Sequence, residues 1–402
     1  MKTSRRENVI NLFTKTDFQH KWLQKLHNKE ATFKSKSSQI DELAMFPKEN
    51  IQDLVNMGYT SLSLPKAYGG EGITVYDMIL FQETLASFDA TTGLSIGWNL
   101  GAIGELFEKK LWSEKNLSFF AEEILNGALV NRSVTESQTG SPTRGGRPGT
   151  NAVKKDGSWI ITGRKTFTTM SPVLTYFLVS AWIEEKQQVG FFLLHKDVAG
   201  LTIDETWDVI SMRGTGSHDL VLQNVKVDDA KLVELPETPS GGPINGWILH
   251  IPACYLGIAQ AARDYAVHFA KSHSPNSLNG PISQLPNVQQ LLGEIDLELM
   301  KARHFLYSVA EAYDDCARRV HLTNELGAAK HIVTNSALTI VDKAMRIVGA
   351  KSLQRNNPLQ RYYRDVRAGL HNPPMDDATI KKLALTAIEQ DQANLLHHVP
   401  SK

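Results

Sequence analysis

The chain has 402 residues, 42% apolar and 21% charged, with 43 basic residues balancing 43 acidic ones. Such a length exceeds one ordinary core and predicts two or three domains, while zero net charge supplies no general attraction to nucleic acid or to an anionic membrane. No apolar run reaches the ~18 residues of a membrane span, the start MKTSRRENVINLF lacks an apolar signal core, and Cys254 and Cys316 alone cannot build a disulfide framework or a cysteine metal site. A cytoplasmic protein is expected, with no membrane insertion, no nucleic-acid partner and no metal.

Residues 1–127 read as helical. IDELAMFPKENIQDLVNMG and VYDMILFQETLASFD repeat apolar residues at three and four, and LSLPKAYGGEGI between them reads as a loop. That loop is Gly-rich but lacks the Lys-Ser/Thr of a phosphate-binding P-loop, so a connector of small residues accounts for it. The pattern changes near residue 128. ALVNRSVTES, SWIITGRKTFTTM, TYFLVSAWI, VGFFLLH and DLVLQNVKV are short and rich in β-branched and aromatic residues, and Asp156-Gly157 marks a turn. Strands in close succession without helices between them predict antiparallel pairing in a barrel or sandwich over 128–237. LPETPSGGP, residues 235–243, reads as a junction. Residues 238–402 are helical again: Leu292, Ile295, Leu299, Ala302, Leu306, Val309 and Tyr313 form one apolar stripe, which is core or subunit interface, and ELGAAKHIVTNSALTIVDKAMRIVGA is a second long helix of a bundle. The fold class is therefore α+β: an N-terminal helical domain, a central antiparallel β domain and a C-terminal bundle of four-helix type.

Several familiar chemistries find no support. No HExxH or cysteine pair offers metal ligands. RGTGSHD, residues 213–219, is the nearest approach to GxGxxG, but it precedes a strand and breaks the spacing. No GxSxG nucleophile elbow occurs.

Five motifs in order, spread over almost the whole chain, resemble the acyl-CoA dehydrogenase superfamily of flavoproteins: MGYTSLSLPKAYGGEGI (57–73), VTESQTGS (134–141), GRKTFTTM (163–170), GIAQAARDYA (257–266) and PLQRYYRDVR (358–367). The resemblance implies FAD as cofactor, with FMN or reduced flavin from a reductase as alternatives. It places Thr135 beside the flavin pyrimidine edge, where fixed donors stabilise the charge that reduction creates. Phe167 stands where the family has Trp, against a flavin face, and Thr169 where it has the flavin-contacting Thr. Ser141 matches a serine near both flavin and ligand. RIVGA, residues 346–350, stands in for a Gln-x-x-Gly-Gly motif, which sets Arg346 and Gly349 near the flavin diphosphate and puts Ala350 in the last Gly position. Arg144 and Arg147, in SPTRGGRPG, are candidates for a substrate phosphate or carboxylate, with a solvated hairpin tip as the plainer reading. Arg361, Arg364 and Asp365 read as a structural charge network. The implied assembly is a homotetramer.

The same comparison has gaps. A dehydrogenase needs a desolvated base for the weakly acidic α-carbon. The family's usual glutamate after the Arg-Asp helix is replaced by HNPPMDDAT, and its alternative position falls on Trp247. The Arg-x-x-Phe-Gly motif expected after DYA is also missing. Three readings follow, the first being the one that the resemblance implies and the other two its alternatives. The first is α,β-dehydrogenation of an acyl thioester with hydride transfer to FAD, Asp376 or Asp377 acting as base and an electron-transfer flavoprotein as partner. The second is a two-component monooxygenase, resembling the dibenzothiophene monooxygenase branch in MRGTGSHD and GLHNPP, that takes reduced flavin from a reductase and uses His371. The third is a non-catalytic flavin or acyl-ligand binding protein.

Overall fold

The structure is a computed structural model that describes residues 12–140, 146–236 and 245–397. Ser141, Arg144 and most of the 235–243 junction lie outside the described residues. Two compact units emerge, Met1–His250 and Ile251–Lys402.

The first unit opens with helices α1 (Asp17–His27), α2 (Glu30–Leu43), α3 (Lys48–Asn56), α4 (Val75–Ala86), α5 (Ala90–Glu108) and α6 (Glu114–Leu125). Their starts follow local chemistry. Thr16 with Gln19, and Thr74 with Asp77, form reciprocal capping boxes on α1 and α4, and Asp89 caps α5 by accepting from Thr92 N at 2.9 Å. Helices α4 and α5 are buried on nearly every face, which is why their sequences lack a polar stripe.

Among the described residues eight strands follow: β1 (Val130–Ser133), β2 (Asn151–Lys155), β3 (Ser158–Thr168), β4 (Tyr176–Ile183), β5 (Gln188–His195), β6 (Leu201–Asp204), β7 (His218–Asp228) and β8 (Leu232–Glu234). They make one sheet in the order β6-β7-β3-β2-β4-β5-β8, with β1 also on β4. Most pairings are antiparallel, as strands joined by short turns should be. The sheet is nevertheless mixed, because β4 runs parallel to β1 along Tyr176–Val179 and to β2 at Trp182–Ile183. The β2–β3 hairpin itself is the crossover that lets β1 and β4 point the same way.

One core runs through helices and sheet of this unit: Leu106, Phe107, Trp112, Phe120 and Ile124 pack with Val130, Tyr176, Leu178 and Leu193. Polar ties reinforce it, with Arg132 making a bidentate pair to Glu234 at 3.0 and 3.1 Å while Trp112 Nε1 donates to the same carboxylate at 2.8 Å.

The second unit contains α7 (His250–Ser272) from its second residue on, α8 (Pro286–Asp314), the single turn α9 (Cys316–Arg319), α10 (Glu325–Val348), α11 (Pro358–Asp365) and α12 (Asp376–His397). Six of the seven stripe residues on α8, Ile295 through Tyr313, are buried; Leu292 is half-buried. α8 packs on α10, fastened by Lys343–Glu294 at 2.6 Å and Ser336–Glu298 at 2.9 Å. Asn357 caps α11, with Pro358 at its first position, where the missing N–H costs nothing. Among the described residues no helix is long and apolar enough to cross a membrane.

Candidate flavin site and candidate proton-transfer residues

The first cluster lies at the end of β1 and the bulge of β3. Along β3 the buried parity is Trp159, Ile161 and Lys165. Pairing with β7 then slips between Lys165↔Leu220 and Thr168↔His218, so two residues of β3 oppose one of β7. The slip inverts the alternation. Phe167, which regular pleating would turn inward, adopts φ +57° and is 60% exposed. Its ring meets Trp207 edge-on at 5.9 Å. A large aromatic held outward in an unfavourable backbone region suits an apolar planar ligand that would cover it.

Polar groups border this shelf. Thr166 N donates to Thr135 O at 2.8 Å, joining β3 to the segment after β1. Thr169 Oγ1 and Ser217 Oγ are 2.9 Å apart, as are Ser217 Oγ and Thr215 Oγ1. Among the described residues the buried hydroxyls of Ser133, Thr166 and Thr168 have no hydrogen-bond partner. Orphaned buried hydroxyls beside an exposed aromatic fit a flat ring with polar edges, which is what a flavin is.

Two residues that sequence reasoning passed over hold the cluster together. Glu136 Oε1 accepts from Lys165 Nζ at 2.6 Å and from Thr150 N at 3.0 Å; Oε2 accepts from Gly149 N at 2.6 Å and Thr139 Oγ1 at 2.8 Å. Lys165, fully buried, also donates to Ser180 Oγ at 3.1 Å. Burial alone would raise the Glu136 pKa, but the hydrogen bonds from Lys165 and Thr150 and the Lys165 charge outweigh it and bring it down to about 2. Burial pulls the Lys165 pKa below its usual value, against the opposing pull of Glu136. A sequence signal existed: Lys165 falls on the core parity of an otherwise apolar strand face, and a charge there demands a buried partner.

Arg147 makes a 2.6 Å ion pair with Glu184 and lies over the Trp182 ring at 4.6 Å, so its guanidinium is committed to the β4–β5 turn.

The second cluster is in the C-terminal unit. Arg346 is exposed and pairs with Asp342 one helical turn away at 2.8 Å. Gly349 ends α10 at φ +67°, ψ −152°, a conformation essentially reserved for glycine, and a β-carbon there would meet nothing within 4 Å. Its backbone is thus open to close approach. Beyond α11 a 3₁₀ turn, Val366–Leu370, leads to His371. His371 is exposed, its N–H donates to Ala368 O at 3.0 Å, and among the described residues its ring makes no hydrogen bond or ion pair. Asn372 accepts from the buried Tyr255 hydroxyl at 2.5 Å, which anchors the neighbouring backbone.

Asp376 and Asp377 occupy the first turn of α12, where the helix dipole favours anions. Asp376 accepts from Lys330 Nζ at 3.1 Å and Asn335 Nδ2 at 2.9 Å, with His331 Nδ1 at 3.3 Å. Burial would raise its pKa; the bonds from Asn335 and Lys330, with the charges of Lys330 and His331, more than reverse this and hold it below the usual carboxylate range. Asp377 is exposed.

Known proteins share this organisation. Residues 20–109, 132–225 and 249–372 match the N-terminal, middle and C-terminal domain models of acyl-CoA dehydrogenase. The YdbM protein of Bacillus subtilis (strain 168), which carries the provisional name acyl-CoA dehydrogenase, is 63% identical over 94% of this chain and its own full length. Among solved structures, butyryl-CoA dehydrogenase from Megasphaera elsdenii superposes with a TM-score of 0.82 at 20% identity, covering 93% of this chain and 99% of that one. KijD3 in complex with FMN and an amino-keto sugar nucleotide gives 0.81 at 24%, covering 94% and 95%. These two establish a common fold. With all three domain models in sequence order and a relative alike from end to end, the chain belongs to the acyl-CoA dehydrogenase family of flavin-dependent oxidoreductases.

Proposed function

We propose that this protein is a flavin-dependent monooxygenase-type oxidoreductase whose proton-transfer group is His371. The carrying observation is the state of Asp376. The base of an acyl-thioester dehydrogenase must hold a raised pKa to take a carbon-bound proton. Asp376 is instead tied to Lys330, Asn335 and His331 and driven the other way. It reads as the anchor of α12. His371 is exposed, with a ring uncommitted among the described residues, and an imidazole can both donate and accept a proton. When bound, reduced flavin from a separate reductase would supply the electrons for oxygen activation. On this reading Phe167 orients the ring and keeps water from one face, and Thr135 and Thr169 border its polar edge; Gly349, in the C-terminal unit, is a separate candidate for backbone approach to a phosphate, with FMN or FAD both admissible. His371 holds or returns one proton.

Dehydrogenation of an acyl-CoA, with Asp377 as base and an electron-transfer flavoprotein as acceptor, is the second reading. It is favoured by the name of the 63% identical relative. Anaerobic titration with a panel of acyl-CoAs separates the two: bleaching of bound oxidised flavin would establish the dehydrogenase and overturn the monooxygenase reading. In the converse experiment, protein loaded with reduced FMN and mixed with oxygen should release hydrogen peroxide more slowly than free reduced FMN. His371→Gln should shorten that delay. We also infer a homo-oligomer, since Leu297 and Met300 on α8 and Ile380 and Ile388 on α12 are at least half exposed; a monomer by light scattering would refute it.

A further inference from the structure

Three hydroxyls and one carbonyl beside Phe167 form a chain whose protons can be counted. Thr215 Oγ1 lies 3.0 Å from Met212 O, Ser217 Oγ lies 2.9 Å from Thr215 Oγ1, and Thr169 Oγ1 lies 2.9 Å from Ser217 Oγ. Each close oxygen–oxygen contact needs one proton between its atoms, and each hydroxyl owns one. Met212 O can only accept; it also receives Trp207 Nε1 at 3.2 Å. The proton in the first contact must therefore come from Thr215. That leaves Ser217 to donate to Thr215, and Thr169 to donate to Ser217. Any other assignment leaves two oxygens facing each other without a proton in a buried site, where Thr215, Ser217 and Thr169 are 1%, 5% and 8% exposed.

The consequence falls on Thr169. Its proton points inward along the chain, and what remains for a ligand is lone pairs alone. Its main-chain N–H is also committed, donating to Phe167 O at 2.9 Å. Reduction converts a bare ring nitrogen of a flavin into an N–H, so an acceptor at the ring edge binds the reduced form and repels the oxidised one. We propose that the Thr169–Ser217–Thr215 chain selects the reduced flavin over the oxidised flavin, Thr169 acting as the contact and Ser217 and Thr215 as residues that set its polarity. The inference rests on the assignment of Thr169 to the flavin edge, and it identifies which redox state of the cofactor the site is built to receive. Asn131, whose Nδ2 donates to Thr169 O at 3.0 Å, holds the backbone from behind and leaves the hydroxyl polarity untouched.

The test is the ratio of dissociation constants for oxidised and reduced FMN, measured anaerobically by equilibrium binding on the full chain. Wild type should bind reduced FMN more tightly. Ser217→Ala removes the inward acceptor and frees the Thr169 proton to point at the ligand, so the preference should move toward oxidised FMN by about tenfold, equivalent to a potential change of about 30 mV for a two-electron couple. Thr169→Val deletes the contact and should collapse the preference. Thermal denaturation checks folding, and Ser217→Thr, which keeps a hydroxyl, should restore the wild-type ratio. A ratio unchanged in Ser217→Ala, with the protein folded and binding FMN, overturns the proposal. Failure of wild type to bind FMN in either state would instead remove the flavin assignment of Thr169, and this inference with it.

Discussion

Replacing Asp376 with Asn tests whether this carboxylate is an anchor or a base. Lys330 is 1% exposed in its side chain and Asp376 28%. Stripping the partner from a fully buried charge costs about 3–5 kcal/mol, whereas an exposed pair contributes about 0–1 kcal/mol. The pair is asymmetric, and Asn retains an oxygen that can accept from Lys330 Nζ. Burial already pulls the Lys330 pKa down, so the ammonium can also shed its proton. These facts place the cost near the middle, about 2 kcal/mol. At about 2–4 °C per kcal/mol for a unit of this size, the C-terminal unit should melt roughly 4–8 °C lower. The double variant with Lys330→Met should recover part of the loss, because no unpaired charge remains. The acid limb adds a check. The folded pKa of Asp376 lies below its unfolded value near 4, so its contribution is fully present above about pH 4 and fades as pH falls through the folded pKa. Asn should remove that portion of the acid sensitivity. The assay is a thermal melt across pH beside turnover with reduced flavin. An unchanged melt together with a loss of turnover on the order of 10²–10⁴-fold, the range typical of a deleted base, would refute the reasoning.

Other outcomes follow from the first unit. Gly104→Ala puts a β-carbon 2.3 Å from Trp247 Cδ2, in a ring held by Glu108 at 2.7 Å; overpacking of about 1–3 kcal/mol should outweigh the helix propensity gained and shift the tryptophan fluorescence. Phe167→Gly should leave the melt unchanged or raise it slightly, since glycine relieves the positive φ, yet weaken FMN binding about tenfold through the lost aromatic contact. Glu136→Gln should weaken FMN binding as well, because one amide oxygen cannot serve the four donors that now reach the carboxylate. With its folded pKa at about 2, the Glu136 contribution is complete above its unfolded value and is lost as pH falls toward 2. Glu136→Gln should flatten that acid limb, and a limb identical to wild type would refute the assignment.

Much of the fold is legible in local sequence because the forces that write it are local. Periods of three and four on α8 and α10 report a buried face wherever the helices eventually pack, and Thr16, Thr74 and Asn357 start helices by bonding N–H groups two or three residues away. Order and spacing of motifs were enough to identify the family. Alternation along β3 marks Trp159 and Ile161 as core and, on the same reasoning, puts Lys165 in the core too. The structure does bury it, a signal that sequence reasoning passed over; the partner Glu136 lies 29 residues away and only the folded sheet supplies it.

What local pattern could not reach depends on register and on distant neighbours. Phe167 shares the core parity of Ile161 and Lys165, and it faces outward solely because pairing with β7 gains a residue in the bulge. Asp376 is a helix-start acid in sequence; its depressed pKa comes from Lys330 and Asn335 on α10, 46 and 41 residues earlier. The hydroxyl of Thr169 meets that of Ser217, 48 residues on, at 2.9 Å. Sequence by itself determined the α-β-α order and most of the elements, because periodicity and capping act over a few residues. The family and the candidate residues came from the resemblance of its motifs, and the short strands β2, β6 and β8 gave too little local pattern to be read. Tertiary structure alone decided which way Phe167 points and what Thr169 and Asp376 are bonded to, because electrostatics and hydrogen bonding act between atoms that the fold, not the chain, makes adjacent.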